Sequence, residues 1–259
     1  MLDPWMWVHP YLTVIRGVPL ATVEELRLGY AEQYPIREEN EDGRGLTRHS
    51  ERIIIPHFWR GKLVGWQSRR LWDDGTPKYL STGGFPKDRT IFCPPEGRRI
   101  VVVEAPMSSA RHRHHQPVAA TFGSVLTDAQ IRLVAGYDEV VWWPDPDDAG
   151  WQATEGWVNE TTGEWVPGVP EQLEAYSNVR VPTLDWNEDP GGLDDATVDE
   201  GVETAVPFAI WERPARLRCW RCKGYHEGRC HLPDPVDALI DELLRGSGDE
   251  AHLLTERSQ

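Results

Sequence analysis

At 259 residues, 39% of them hydrophobic and with a mean hydropathy of −0.53, the chain has room for one large domain or two modest ones and reads as soluble and globular. No run approaches the roughly 18 apolar residues that span a bilayer. Residues 1–7 lack the basic start and apolar run of a signal peptide, and four cysteines do not make a secreted disulfide scaffold, so a cytoplasmic setting with no membrane partner is expected. The net charge of −15 speaks against a phosphate-bearing partner until its distribution is read. Residues 43–117 hold 14 Lys/Arg and 6 Asp/Glu, a balance of +8, whereas the remainder holds 13 and 36, a balance of −23. One basic face on an acidic body is the expectation, chance clustering of solvated charges the alternative.

In chain order, residues 10–30 read as a short helical unit. Thr22 serves as N-cap, Glu25 completes a capping box, and Gly29 ends the segment. Residues 37–51, charged and Gly-bearing, read as a surface loop. Strands then flank Arg60-Gly61-Lys62, a hairpin signal, and a second turn follows at Asp73-Asp74-Gly75-Thr76-Pro77. Ile100-Val101-Val102-Val103 is a β-branched run of the kind buried on both faces. A helix over 107–115, a strand at 118–121, a helix opened by the Thr127–Gln130 capping box and a strand over 139–143 complete a β-α-β-α-β order, the pattern of a parallel, helix-covered sheet. Beyond Gly150 the pattern blurs into a hairpin-like excursion over 151–170. A last strand follows at 179–182, and an amphipathic helix closes the chain over 235–255.

Reactive groups in such a sheet gather at the C-terminal ends of its strands. Glu104 directly ends the 100–103 strand, and Asp145 and Asp147 follow the 139–143 strand with one residue between them. Carboxylates two apart in extended chain project to the same side, and a third from another strand end makes an all-oxygen set suited to Mg²⁺ or Mn²⁺. By itself Asp-x-Asp is weak and reads more readily as a solvated cap. A Glu ending a buried strand is less ordinary, because burying a carboxylate without a cation or partner is costly.

These residues, in this order, resemble the Toprim pattern of a strand-end Glu and a later Asp-x-Asp-x-Ala-Gly, here Glu104 and Asp145-Pro146-Asp147-Asp148-Ala149-Gly150. Tyr11-Leu12, Arg16-Gly17, residues 52–56, Pro77-Lys78-Tyr79-Leu80-Ser81, residues 120–127, residues 181–184 and Asp189-Pro190 lie collinearly with bacterial DnaG-type primase motifs, so the resemblance covers roughly residues 10–195. It implies an α/β fold: a Toprim parallel-sheet, Rossmann-like domain over 99–212, preceded by a small basic α+β subdomain over 1–98. It implies Asp189 as a further metal ligand beside Glu104, Asp145 and Asp147. It also places Arg69, Lys78, Tyr79 and Lys87 where a basic groove handles template and nucleotides. The implied activity is metal-dependent synthesis of short RNA primers from ribonucleotides on single-stranded DNA, in the bacterial host cytoplasm if the chain is phage-encoded. A Toprim nuclease or a catalytically decayed nucleic-acid-binding protein is the alternative. The chain departs from the family pattern at Ala105, at Ser108 and at Gly191, where the family has Gly, Asp and a second acid. A replicative helicase or a separately encoded zinc-binding subunit is the expected partner, because the family's own zinc module and helicase-binding domain have no counterpart in the sequence.

Residues 213–259 form a Cys-rich tail with the closing helix. Cys219, Cys222, His226 and Cys230 have the composition of a contracted zinc site, with Arg and aromatic residues interleaved as in single-strand binders; a loose reduced tail is the alternative. Cys93 reads as a buried small hydrophobe. His112, His114 and His115 read as a solvated helix face, since these spacings do not share one side well. The 13 tryptophans are assigned to core and sheet packing, with Trp142 or Trp143 against a covering helix.

Overall fold

The computed structural model describes residues 8–39, 45–183 and 189–213. A single turn at Tyr11–Ile15 and helix α1 (Leu20–Glu25) precede four strands, β1 (Gly29–Glu39), β2 (Gly45–Trp59), β3 (Lys62–Arg70) and β4 (Tyr79–Ser81). All four pair antiparallel in chain order. The chain then alternates: β5 (Arg99–Val103), α2 (Pro106–His112), β6 (Val118–Ala120), α3 (Asp128–Val134), β7 (Glu139–Trp142) and α4 (Asp148–Glu155). A small hairpin of β8 (Trp157–Val158) and β9 (Trp165–Val166), then α5 (Val169–Leu173), β10 (Asn178–Val181), α6 (Asp195–Thr204) and β11 (Val206–Pro207), complete the described chain. The second sheet has the order β11-β10-β7-β5-β6, parallel from β10 to β6, with β11 antiparallel at the edge. Among the described residues no helix is long and apolar enough to cross a membrane.

The β-branched run over 100–103 does what its composition requires. Ile100, Val101, Val102 and Val103 are at most 1% exposed, because helices cover both faces of their strand. Each such side chain contributes about 1.5–3 kcal/mol of burial, which seats β5 between β7 and β6. Trp142 on β7 is fully buried, and its indole donates to Thr154 Oγ1 on α4 at 2.9 Å. That bond seats α4 on the sheet through the polar handle a buried Trp needs. Thr127 caps α3 with the full reciprocal box: its side chain accepts from Gln130 N, and Gln130 Oε1 accepts from Thr127 N. Gln130 Nε2 also donates to the carbonyls of Lys87, Thr90 and Thr121, tying α3 to both the basic segment and the end of β6.

Three expectations need correction. Thr22 is not an N-cap: α1 begins at Leu20 after Pro19, Thr22 is buried inside it, and Gly29 opens β1 rather than closing a helix. A proline preset to φ −57° starts this helix without a side-chain cap. Residues 37–39 and 45–51 are not loop but the paired ends of β1 and β2, from Arg37↔Thr47 to Glu39↔Gly45. Arg48 and His49 on this ribbon are exposed, so it carries no apolar alternation for a pattern to reveal. The third is the start of the 151–170 excursion: residues 151–155 belong to helix α4, which begins immediately after Asp147. Its apolar positions are few, and a cap does the nucleating. The 157–166 hairpin, the Arg60-Gly61 hairpin loop and the β10 strand stand where expected. Of the tryptophans, Trp142, Trp143 and Trp151 are buried, while Trp66, Trp72 and Trp165 are exposed. Cys93 is only half-buried, although burial still pushes its thiol up to about 12.

Arg52 on β2 is fully buried and holds the turn that leads to β4. Its guanidinium donates to Ser68 O, to Thr76 Oγ1 at 2.5 Å and to Pro77 O at 2.9 Å. Asp74 shapes the same turn by accepting from Thr76 N at 2.9 Å and Ser50 Oγ at 2.5 Å. Arg52→Met should lower the free energy of unfolding by about 3 kcal/mol, since it leaves buried acceptors unpaired. Urea denaturation of the variant against the parent checks this, and a difference below about 0.5 kcal/mol would contradict it.

Candidate functional site: acidic strand ends facing a basic sheet

Glu104 leaves the end of β5, and Asp145 and Asp147 leave the end of its neighbour β7. Adjacent parallel strands therefore bring together carboxylates that lie 41 residues apart in sequence. Glu104 Oε1 accepts from the Asp145 backbone N–H at 3.2 Å. Asp147 is exposed, and its Oδ1 accepts from Gly150 N at 2.9 Å as the N-cap of α4. Gly150 has a steric reason to be glycine: a Cβ there would lie 2.1 Å from the Asp145 carbonyl oxygen. The Asp-x-Asp-x-Ala-Gly segment is thus a turn folded back on the backbone of its first acid, with Asp145 partly buried and Asp147 exposed.

Asp189 joins the cluster from the start of the Pro190–Gly192 turn, close enough to act electrostatically on both Glu104 and Asp145. The Oδ1 atoms of Asp145 and Asp189 are buried without a hydrogen-bond partner. Desolvation first, then the neighbouring carboxylates Asp147 and Asp189, push Glu104 up to about 7 against its one backbone hydrogen bond. Desolvation and the negative charges of Asp189, Glu104 and Asp147 push Asp145 up to about 8, with Lys78 pulling the other way. Buried oxygens with no donor, on groups that repel one another, fit a hard divalent cation such as Mg²⁺ or Mn²⁺. The oxygens are spread, however. Among the described residues, the group whose ligand atoms all approach within 4.8 Å is His112, His115 and Asp195, not this one.

A cleft of about 280 Å³ opens beside the cluster, and its two walls come from the two sheets. Glu104, Ala105, Pro106, Phe122, Gly123 and Asp145 form one wall, and Gln67, Lys78, Tyr79, Ser81 and Lys87 the other. Of the four basic-groove residues read from sequence, Lys78, Tyr79 and Lys87 line this cleft. Arg69 does not; its guanidinium lies over the rings of Tyr11 at 5.1 Å and Tyr79 at 5.9 Å, behind that wall. Burial raises the Tyr79 hydroxyl pKa, with Arg69 and Arg16 pulling the other way.

Gln67 and Phe122 escaped the sequence reading. Gln67 is buried, donates to Ser81 Oγ at 3.3 Å and leaves its Oε1 without a partner. Its only signal was sharing a strand face with Arg69, two residues on. Phe122 sits at φ 67°, a backbone conformation costing about 1–3 kcal/mol in a non-glycine residue. Edge contacts with Phe85 at 5.2 Å and His57 at 5.3 Å hold it there.

The two acidic departures from the family pattern meet in space. A Cβ on Gly191 would lie 2.5 Å from Ser108 Oγ and 3.0 Å from Asp189 Oδ1, and Ser108 is 1% exposed. Any side chain at 191 would have to displace the Ser108 hydroxyl. Arg111 supports the same turn by donating to the carbonyls of Leu193 at 3.0 Å and Arg16 at 2.8 Å.

The histidines are not a solvated helix face. His112 is 1% exposed, and burial pushes its imidazole pKa down to about 4; His115 is largely buried, and only His114 remains open. His112 and His115, three apart, share a side after all, and the carboxylates that meet them, Asp195 and Asp199, come from α6, 80 or more positions later. Cys219, Cys222, His226 and Cys230 lie outside the described residues.

Acidic ends of a parallel sheet facing a basic antiparallel sheet define the class: a two-sheet α/β core with a carboxylate cluster at the cleft. Comparison with known proteins then makes the class specific. No protein-family model matches the chain. It is 28% identical over 245 residues to the DNA primase of Deinococcus radiodurans, covering 83% of this chain and 40% of that protein. It is 29% identical over 214 residues to the DNA primase of Geobacillus stearothermophilus, covering 69% of this chain and 33% of that protein. The chain thus spans well under half the length of these curated relatives. Its fold is similar to that of a DnaG primase catalytic domain bound to single-stranded DNA, with a TM-score of 0.60, 22% identity and coverage of 80% and 77%. A DNA primase domain from Pseudomonas aeruginosa matches with a TM-score of 0.56, 24% identity and coverage of 75% and 70%. By sequence and by fold the chain is similar to the DnaG-type primase catalytic core.

Glu104 and Asp145 give the site a pH signature. Both carboxyls, raised above their unfolded values, keep protons in the folded chain at pH values where the unfolded chain has lost them. Their contribution is therefore fully present below the ordinary carboxylate range and is lost as pH rises toward about 8. In chelator, unfolding free energy should fall between pH 4.5 and 8, and Asp145→Asn should recover about 2 kcal/mol at the upper end but little at the lower. Denaturant titrations at the two pH values check this; a parent whose stability rises across the window would refute it.

Proposed function

We propose that this chain is a primase core that synthesises short RNA primers from ribonucleotides on single-stranded DNA. The observation that carries the proposal is the cleft in which Glu104 and Asp145, with Asp189 beside them, face Lys78, Tyr79 and Lys87. In this reading Glu104, Asp145, Asp147 and Asp189 hold Mg²⁺ or Mn²⁺, and when bound such an ion supplies neutralising charge for phosphate oxygens. Lys78 and Lys87 attract the phosphates of template or nucleotide from the opposite wall, and Arg69 orients Tyr79 from behind. Phe122 and Gln67 close the cleft's inner end, where a base or ribose meets an apolar ring and one open amide oxygen. Ser108 and Gly191 add no carboxylate beside Asp189, so fewer acids hold cation here than in the family pattern. The reading divides the chain into a basic subdomain over 1–98, a Toprim domain over 99–212 and a tail over 213–259. It keeps Cys219, Cys222, His226 and Cys230 as a Zn²⁺ set on the strength of their spacing, and a replicative helicase or separate zinc-binding subunit as partner.

Single-stranded DNA, labelled ribonucleotides and Mg²⁺ or Mn²⁺ test this directly. Template-dependent oligoribonucleotides support it; shortened DNA would make the chain a nuclease, and no product with retained binding would make it a non-catalytic binder. Glu104→Gln and Asp145→Asn should each lower synthesis at least about 1000-fold while the fold persists, about 4 kcal/mol of lost transition-state stabilisation. Lys78→Ala should weaken single-strand binding and reduce the slope of log affinity against log salt by about one. An unchanged slope would remove Lys78 from phosphate contact.

A further inference from the structure

Behind the carboxylate cleft, on the far end of α2, His112 Nδ1, His115 Nε2 and Asp195 Oδ1 form a closed triangle. Its edges are 3.1 Å between the two imidazole nitrogens, 3.2 Å from His112 to Asp195 and 3.4 Å from His115 to Asp195. Each histidine uses its other nitrogen outward. His112 Nε2 lies 2.7 Å from the Pro190 carbonyl oxygen, and His115 Nδ1 lies 2.7 Å from Asp199 Oδ1. A carbonyl oxygen only accepts, and Asp199 Oδ1 already accepts from Gln116 Nε2 at 2.6 Å. Both outward nitrogens must therefore carry the ring hydrogen. In the neutral rings the inward nitrogens are then bare lone pairs, and Asp195 adds a third acceptor. Three acceptors in mutual contact with no donor among them repel, unless a cation lies between them.

The geometry points to a divalent transition-metal site, of the Zn²⁺ class, held by His112, His115 and Asp195. Metal–nitrogen bonds of 2.0–2.1 Å in a tetrahedral shell place ligand atoms about 3.3 Å apart, the span of all three edges here. Imidazole nitrogen with a single carboxylate oxygen suits Zn²⁺ better than Mg²⁺, which separates this site chemically from the all-oxygen cluster at the cleft. The outward bonds to Pro190 and Asp199 are the supports that metal-bound histidines require, fixing tautomer and ring orientation. His114 Nε2, 3.1 Å from Asp195 Oδ2, holds the carboxylate's other oxygen. Asp195 is half-exposed, so a fourth position opens toward solvent on its side.

Such an ion would act as a staple. It joins the end of α2 to the first turn of α6, and through His112 and the Pro190 carbonyl it bears on the residue next to Asp189. The fourth carboxylate of the cleft would then be positioned by a metal that never touches substrate. This site is independent of the primase reading and stands or falls without it.

The test uses the full chain with Cys219, Cys222 and Cys230 changed to serine, so that thiolate binding by the tail is absent. Equilibrium dialysis against Zn²⁺, and visible absorption after Co²⁺ loading, should give one tightly held ion with a tetrahedral nitrogen–oxygen spectrum and no thiolate charge-transfer band. His115→Gln and Asp195→Asn, both at partly exposed positions, should each weaken binding more than about 100-fold, and Asp199→Asn about 10-fold through the outer hydrogen bond. Zn²⁺ should raise the melting temperature of the serine parent and leave those of His115→Gln and Asp195→Asn unmoved. Absence of a stoichiometric ion from the serine parent would overturn the assignment. So would Zn²⁺ binding that His115→Gln and Asp195→Asn leave unchanged, which would move the ion to the carboxylates of the cleft.

Discussion

Carboxylates gathered at the end of an apolar sheet are held there against both desolvation and each other. Val101, Val102 and Val103 bury β5 almost completely, and Glu104 is the next residue, so the strand cannot be sheltered without drawing the carboxylate toward low dielectric. The neighbouring strand does the same with Asp145. Apolar burial in the sheet, spread over some fourteen mutually packed side chains, offsets what the acids cost. Much of the surrounding architecture keeps the acids from relaxing away.

The supports are local and identifiable. Gly150 lets α4 begin so near Asp145 that no side chain fits between them, and Asp147 uses one oxygen to cap that helix. Arg111 ties the 190–193 turn to the chain near Arg16, which keeps Asp189 facing the cluster. Across the cleft, buried Arg52 holds the Asp73–Pro77 turn and so sets where Lys78 and Tyr79 emerge. The negative wall rests on strand ends and helix starts, and the positive wall rests on one buried guanidinium. Loss of either arrangement would separate charges that the chain brings together from separate segments of its sequence.

Ser108 and Gly191 belong to the same logic. Each taken alone looks like the loss of an acid from a known pattern. They lie side by side, a small hydroxyl and a bare backbone where the family pattern has two acidic side chains. Four like charges are already difficult to hold, so a chain that drops two acids together loses repulsion without leaving a buried charge unpaired.

The β-branched run, the Thr127 capping box, the Arg60-Gly61 hairpin and the acids at strand ends were legible because each depends on residues adjacent in sequence. Strand burial, capping and tight turns are near-neighbour chemistry, and they sufficed for the parallel sheet and for placing Glu104, Asp145 and Asp147 at its strand ends. Tertiary structure alone decided the rest. The ribbon of residues 37–39 and 45–51 forms because two polar strands find each other's backbone, which side-chain pattern does not encode. Arg69 turned away from the cleft because Tyr11, far upstream, offered its ring. His112 and His115 gained their partners from Pro190, Asp195 and Asp199, beyond the reach of any local periodicity. Local chemistry could name the acids; only the packing of distant segments could determine which polar groups would be left facing one another without a donor.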